Sequence, residues 1–243
     1  MLFIPGGWTE EELDRIIRKS ANVVETGRRI AALSEWFLGT DYREHTLIGD
    51  RDTPEVFVVS LEGVDCFTFI DYIEAMRLSR SFSEFTVNLQ KTRYRGGRIT
   101  FEDRNHFFTD WREFNAVLVE DITTEIGKSA TIKVRKLLNM KQDGTTWVPG
   151  IPPAEREIRY IPSHAADYQV FAGLRTGDYA GVYSDSAGLD VSHTGIIIRD
   201  RGHIYLRHAS SRHGKVLDED LKNYISVKPG LIIFRPRPYG LSL

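Results

Sequence analysis

Downstream of Cys66, apolar residues fall at Phe69, Ile70, Ile73 and Met76. Steps of three and four put these positions on one face of an α-helix. The pattern predicts an amphipathic helix opening at Cys66, entered through a turn at Gly63, with the cysteine at the N-terminal edge of the buried face. Two helices precede it. One runs from Thr9 to Lys19, with Thr9 as N-cap and Glu12 completing a capping box. The other spans Thr26 to Leu38 and stops at Gly39. The β-branched run from Val56 to Leu61 reads either as a short strand or as an extended lead-in to Cys66. Ser81 or Ser83 caps a further helix that ends near Lys91.

The last third of the chain changes period. Asp178 to Tyr183, His193 to Ile198, Ile204 to His208 and Leu231 to Phe234 read as strands. Asp200 to His203 turns the second into the third, and Asp218 to Tyr224 reads as a short helix with Asp218 as N-cap. A helix bearing a thiol, followed by an antiparallel sheet, is an α+β layout. The middle is less regular. Tyr94 to Phe101 suggests a hairpin around Gly96-Gly97, Ala130 to Leu137 a strand, and the proline-rich stretch Thr145 to Pro153 a loop. No flexible linker marks a boundary.

Composition narrows the field modestly. The 243 residues are 41% hydrophobic and 27% charged, ordinary for a soluble globular chain. A formal net charge of −2 lacks the basic footprint of a nucleic-acid binder. No apolar run approaches ~18 residues, so no membrane span is predicted. The opening Met1 to Glu10 lacks the charged and then apolar regions of a signal peptide, which leaves a cytoplasmic protein or a mature domain without its leader. A single cysteine excludes an intrachain disulfide and any multi-cysteine zinc site.

A thiol at a helix N-terminus has its pKa lowered by the helix dipole and by free N–H groups. The same N–H groups suit an oxyanion. A lone cysteine is also commonly a small buried hydrophobe, so the nucleophile reading needs a base. Of the seven histidines, His193 opens an apolar strand and His208 ends the next one. The turn near Gly202 sets 193 roughly opposite 208, with Cβ atoms ~5 Å apart. One imidazole could then hold the other in a single tautomer, the role of the third residue in a Cys-His unit. The Cys66 sulfur is then expected within hydrogen-bond reach of a His193 ring nitrogen, or slightly beyond it. Taken singly, each histidine also fits a strand-end residue with a satisfied hydrogen bond. Two histidines with no third ligand and no HExxH motif make a poor zinc site. No metal and no cofactor are predicted.

Four pieces occur in order along the chain. Asp65-Cys66 opens a helix, Gly177-Asp178 opens the first sheet strand, His193-Thr-Gly-Ile196 starts the second, and His208 lies on the third. Val64 to Phe69, Tyr94 to Gly97, Arg104 to Trp111 and Arg207 to Ser211 add supporting text, so the set spans roughly residues 60 to 235. With these motifs the chain resembles the NlpC-type papain-like cell-wall cysteine hydrolases, in their N-acetylmuramoyl-L-alanine amidase-like branch. Phe67 stands where the wider superfamily commonly has serine. The resemblance implies a papain-like core in which the nucleophile helix packs on an antiparallel sheet. It implies Cys66 as nucleophile, His193 as base and His208 as the orienting residue. The implied substrate is a peptidoglycan fragment (a muropeptide), anhydro forms among them. The implied scissile bond is the amide joining N-acetylmuramic acid to L-alanine, and the implied location is periplasmic or extracytoplasmic.

On that reading residues 1–243 form a single catalytic domain. Residues 1–55 are a helical N-terminal extension, and 90–157 an insertion forming part of the substrate wall. Aromatic rings stack on sugars and arginine forks bind carboxylates. Asp65, Arg104, His106, Asp110 and Trp111 are therefore candidate substrate-binding residues. Equally, Phe107, Phe108 and Trp111 read as core, with Arg104 paired to Asp110. Three other functions stay open: an endopeptidase cutting the stem peptide after D-glutamate, a non-catalytic cell-wall binding module, and a glycosidase built on a carboxylate pair.

Overall fold

The computed structural model describes residues 1–238. The chain begins with β1 (Leu2–Ile4), α1 (Glu10–Ser20), α2 (Thr26–Glu35) and β2 (Val58–Ser60). Helices α3 (Cys66–Arg77), α4 (Phe82–Arg93) and α5 (Phe108–Phe114) follow, then β3 (Val119–Asp121), α6 (Thr123–Gly127), β4 (Ile132–Leu138) and β5 (Ala154–Pro162). The last part holds α7 (Tyr168–Gly173), β6 (Tyr179–Tyr183), β7 (Val191–Asp200), β8 (His203–Ser210), β9 (Lys215–Asp220), α8 (Leu221–Ile225) and β10 (Gly230–Pro236).

Caps place several of these starts. The Thr9 hydroxyl accepts from the Glu12 N–H at 3.1 Å while the Glu12 carboxylate accepts from the Thr9 N–H at 2.9 Å. Ser81, not Ser83, caps α4. The Val56–Leu61 run resolves as β2, held in a parallel pair by β1. Two readings are corrected. α8 starts behind Asp220, which accepts from the Asn223 N–H, while Asp218 lies in β9 and is gripped by Arg207. Residues 94–101 form a 3₁₀ turn at Arg95–Gly97 with Tyr94 bridging Arg104, not a hairpin.

The main sheet runs β4-β5-β10-β6-β7-β8-β9, with β3 also on β10, and every neighbouring pair is antiparallel. The fold is thus mixed α/β around an antiparallel sheet. Alternate side chains leave opposite faces of each strand. Ile196, Ile198, Ala209 and Ile232 join Phe69, Ile70 and Ile73 of α3 in one core, together with residues of α1 and α2. Ile197, Leu206, Leu231 and Ile233 face the other way, into a smaller core with α6, α7 and α8. The 90–157 stretch is woven into the same sheet: β3 pairs with β10, and β4 pairs with β5, which continues past 157 to reach β10.

Helix α3 is not amphipathic in place. It is buried from Thr68 to Arg77, including Asp71, Glu74 and Arg77. Buried charges need partners, and these have them. Asp71 is bound by Arg93 Nε at 3.0 Å and by the Trp111 indole N–H at 2.9 Å. Glu74 accepts from Arg77 and from the Tyr179 hydroxyl. The sequence motif Gly177-Asp178 is structural too. Gly177 has φ +90°, and a Cβ there would sit 2.5 Å from Gly27 Cα, where the first turn of α2 presses on it. Asp178 takes a two-pronged grip from Arg235, both contacts at 2.8 Å.

Candidate active site

Cys66 is the first residue of α3, half-buried, with Asp65 as N-cap. Asp65 Oδ1 accepts from the N–H groups of Phe67 (2.9 Å) and Thr68 (2.7 Å), and Thr68 Oγ1 accepts in return from the Asp65 N–H. This box fixes where the helix begins and so where the thiol stands. It also occupies the Phe67 N–H, leaving the Cys66 N–H beside its own sulfur. The thiol is met as well by the backbone N–H and hydroxyl of Thr194, and that hydroxyl donates to the Cys66 carbonyl at 2.8 Å. β7 and α3 are stitched together at this bond.

The lowered thiol pKa expected from the helix dipole is corrected. Burial, and then the Asp65 carboxylate, push Cys66 up to about 11. At neutral pH the resting group is a thiol.

His193 lies on β7 just past a bulge at Ser192. The 193/208 pairing is also corrected. Ile196 pairs with Arg207, so Gly195 lies opposite His208, and the two histidines are diagonal neighbours. Diagonal positions lie ~7–8 Å apart at Cα, still within reach of long side chains. Gly195 makes the approach possible, because a Cβ there would stand 3.0 Å from His208 Cβ and 2.7 Å from Leu206 Cδ1. His193 Nε2 and His208 Nδ1 are 2.7 Å apart, with the rings at 88°. His208 is buried, and its Nε2 meets Glu219 Oε2 on β9 at 2.8 Å. Tyr224 of α8 packs 5.1 Å from the His208 ring. Burial, then His208 and Lys228, bring His193 down to about 3, and burial also lowers His208. Both imidazoles are neutral at pH 7. Among the described residues, no hydrogen bond joins the thiol to the His193 ring; Thr194, the next residue of the strand, makes the direct contact. A cavity of about 610 Å³ opens on the histidine pair, lined in part by Ser192, Ser210, Tyr224 and Lys228.

The structure does not gather the other expected wall residues here. Trp111 is fully buried, stacked near Phe108 and tied to Asp71, so its reading as a sugar platform is corrected. Phe107 and Phe108 are core. Arg104 pairs with Glu55 at 3.3 Å and caps the Gly49 carbonyl, while Asp110 pairs with Arg156, so the expected Arg104–Asp110 pair does not form. His106 is bound to the Phe101 carbonyl at 2.7 Å and brought down to about 4 by burial. Glu219, Thr194 and Tyr224 were not singled out by the sequence. Glu219 sits in an acidic run, Asp218 to Asp220, where only the strand register tells which carboxylate faces the histidine. No group of three or more His, Cys, Asp and Glu side chains among the described residues is arranged to hold a metal ion. No helix among them is long and apolar enough to cross a membrane.

Solved structures share this fold. A protein of Legionella pneumophila str. Philadelphia 1, described by the DUF1460 family model, superposes with a TM-score of 0.77 at 23% identity, covering 95% of this chain and 97% of its own. A Bacteroides uniformis protein named as an N-acetylmuramoyl-L-alanine amidase gives 0.73 at 24%, covering 87% and 99%. A Bacteroides fragilis chain proposed to be a xylanase gives 0.66 at 26%, covering 83% and 98%. No match was found among curated proteins. The N-acetylmuramoyl-L-alanine amidase-like (AmiA-like) family model matches residues 32–231, from within α2 to the start of β10. That span exceeds half of the 243 residues, and the chain belongs to this amidase-like hydrolase family.

Proposed function

We propose that the protein is a cysteine amidase on a papain-like, NlpC-type core. It hydrolyses the amide between N-acetylmuramic acid and L-alanine in peptidoglycan fragments. The observation that carries this reading is the meeting of Cys66, at the start of α3, with a strand that presents His193 bonded to His208. Family membership and the Bacteroides uniformis neighbour's name support the cell-wall amide as target.

The chemistry starts from a neutral pair. His193 takes the thiol proton through Nδ1, the ring nitrogen not engaged by His208, as the sulfur attacks the carbonyl carbon. The Cys66 N–H stabilises the oxyanion. His193 then passes the proton to the leaving nitrogen, which departs as the free amine of L-alanine. Water enters, gives a proton to His193 and adds to the thioester carbon. The thiol leaves, recovers that proton and releases the muramyl carboxylate. His208 holds the imidazole throughout.

Part of the 90–157 insertion serves as a wall of the cleft. Trp147, 42% exposed, donates its indole N–H to the Ala187 carbonyl, and the Asn139 N–H donates to Gly188, both in the turn that leads into the His193 strand.

The test is mass spectrometry of a defined anhydro-muropeptide treated with the wild-type protein and with Cys66→Ala. The amidase reading expects free anhydro sugar and an intact stem peptide from wild type, and a loss on the order of 10⁴-fold or more in the variant. Release of L-alanyl-D-glutamate would instead make it an endopeptidase. Cleavage between sugars, untouched by the substitution, would make it a glycosidase. No product from either protein would leave a binding module.

A further inference from the structure

We propose that Glu219 is a positioning residue that sets the proton placement on both imidazoles, so that His193 keeps its Nδ1 lone pair for the thiol. The proposal rests on the reading of His193 as base.

The logic is donor counting. A carboxylate only accepts, so the 2.8 Å contact with Glu219 Oε2 requires the His208 proton on Nε2. A neutral imidazole carries one ring proton, so His208 Nδ1 must then accept. The 2.7 Å contact to His193 is satisfied only if His193 Nε2 donates. His193 Nδ1 is left without a proton. Remove the carboxylate and the chain can run backwards: His208 Nδ1–H donates to His193 Nε2, which puts the His193 proton on Nδ1. In that form His193 cannot accept a proton from a thiol. The burial of both rings supports the neutral states that this counting needs.

The sheet register builds the chain. Leu206 pairs with Glu219 and His208 with Leu217, so Glu219 is the diagonal neighbour of His208, as His208 is of His193. Three adjacent strands carry one relay with the same two-residue stagger at each step. The other groups around it are His213, whose Nε2 lies 3.6 Å from Glu219 Oε1, Asp218 beside it on β9, and Tyr224 and Lys228 from the α8 side.

The experiment pairs ¹⁵N NMR of the histidine rings with steady-state kinetics on an anhydro-muropeptide. It uses the full-length protein, Glu219→Ala, Glu219→Gln and His213→Ala. Wild type is expected with the proton on Nε2 of both rings. Glu219→Ala is expected to populate the His193 Nδ1–H form and to lose about 10- to 100-fold in kcat with KM little changed. Glu219→Gln, whose amide can accept or donate, gives a mixture and a smaller loss, and it carries the test if the alanine variant does not fold. His213→Ala, which removes the carboxylate's other neighbour, leaves tautomer and kcat unchanged. Unchanged kcat in both Glu219 variants overturns the proposal. So does a fall in kcat with unchanged tautomers, which is what a packing defect alone would give. Full activity of Cys66→Ala would instead sink the underlying reading while leaving the tautomer result intact.

Discussion

Two polar networks, one buried in the core and one half-buried at a cavity, are built on opposite terms in this molecule. Inside α3, Asp71 and Glu74 face Arg93 and Arg77, so each buried negative charge has a positive one beside it. In the β7-β8-β9 relay, two uncharged imidazoles lie behind a single carboxylate, and the nearby thiol is uncharged as well. A balanced network is expensive to break but has nothing to give away. A neutral one holds a proton that can move. The first fixes where α3 lies, and therefore where Cys66 lies. On the proposed function, the second provides the chemistry.

If that division is right, damage to each network has a different signature. The largest effect is expected from Asp71→Ala, which strands the Arg93 guanidinium and the Trp111 N–H. It should cost about 3–5 kcal/mol in denaturant melts while turnover per folded molecule stays near wild type. Lost turnover at unchanged stability would show that the α3 network belongs to the site. Next comes Gly195→Ala, whose Cβ would stand 2.9 Å from the Arg207 carbonyl as well as against His208. It should cost about 1–3 kcal/mol in stability but on the order of tenfold to a hundredfold in kcat, because it spreads the histidine pair. Equal losses by both measures would erase the distinction. The gentlest test is the pH dependence of alkylation by iodoacetamide. With the thiol pushed up to about 11, the thiolate fraction and the rate should climb about tenfold per pH unit from pH 6 to 10. A rate already on a plateau at pH 6 would reveal a preformed thiolate–imidazolium pair.

The sequence exposed what local rules control. Thr9 and Ser81 as caps and the opening of α3 at Cys66 follow from capping and period, and β7 and β8 follow from their apolar runs. His193 and His208 were legible because both interrupt apolar strands near their ends. What escaped was set at a distance. β5 carries a charged run, Glu155 to Glu157, and makes sense only beside β4 and β10. Glu219 is one of three consecutive acids, and only the β8–β9 register singles it out. Trp111 reads equally as wall or as core, and its indole N–H bond to an aspartate 40 residues earlier in the chain draws the ring inward. The period of α3 predicts an exposed polar face, but Asp71 is partnered from α4 and α5, and Glu74 by Arg77 of α3 itself and by Tyr179 of β6.

The bond from the Thr194 hydroxyl to the Cys66 carbonyl has an engineering corollary. His193, Thr194 and Gly195 are consecutive, and each serves a different client: the neighbouring imidazole, the helix that opens at Cys66, and the empty space that His208 needs. A strand's side chains alternate, so inserting or deleting one residue after the Ser192 bulge would hand every client the wrong tenant while keeping all the residues. Transplanting this arrangement to another sheet would therefore mean moving the bulge and the three-residue reading frame as one cassette. A bare cysteine and histidine would arrive out of phase.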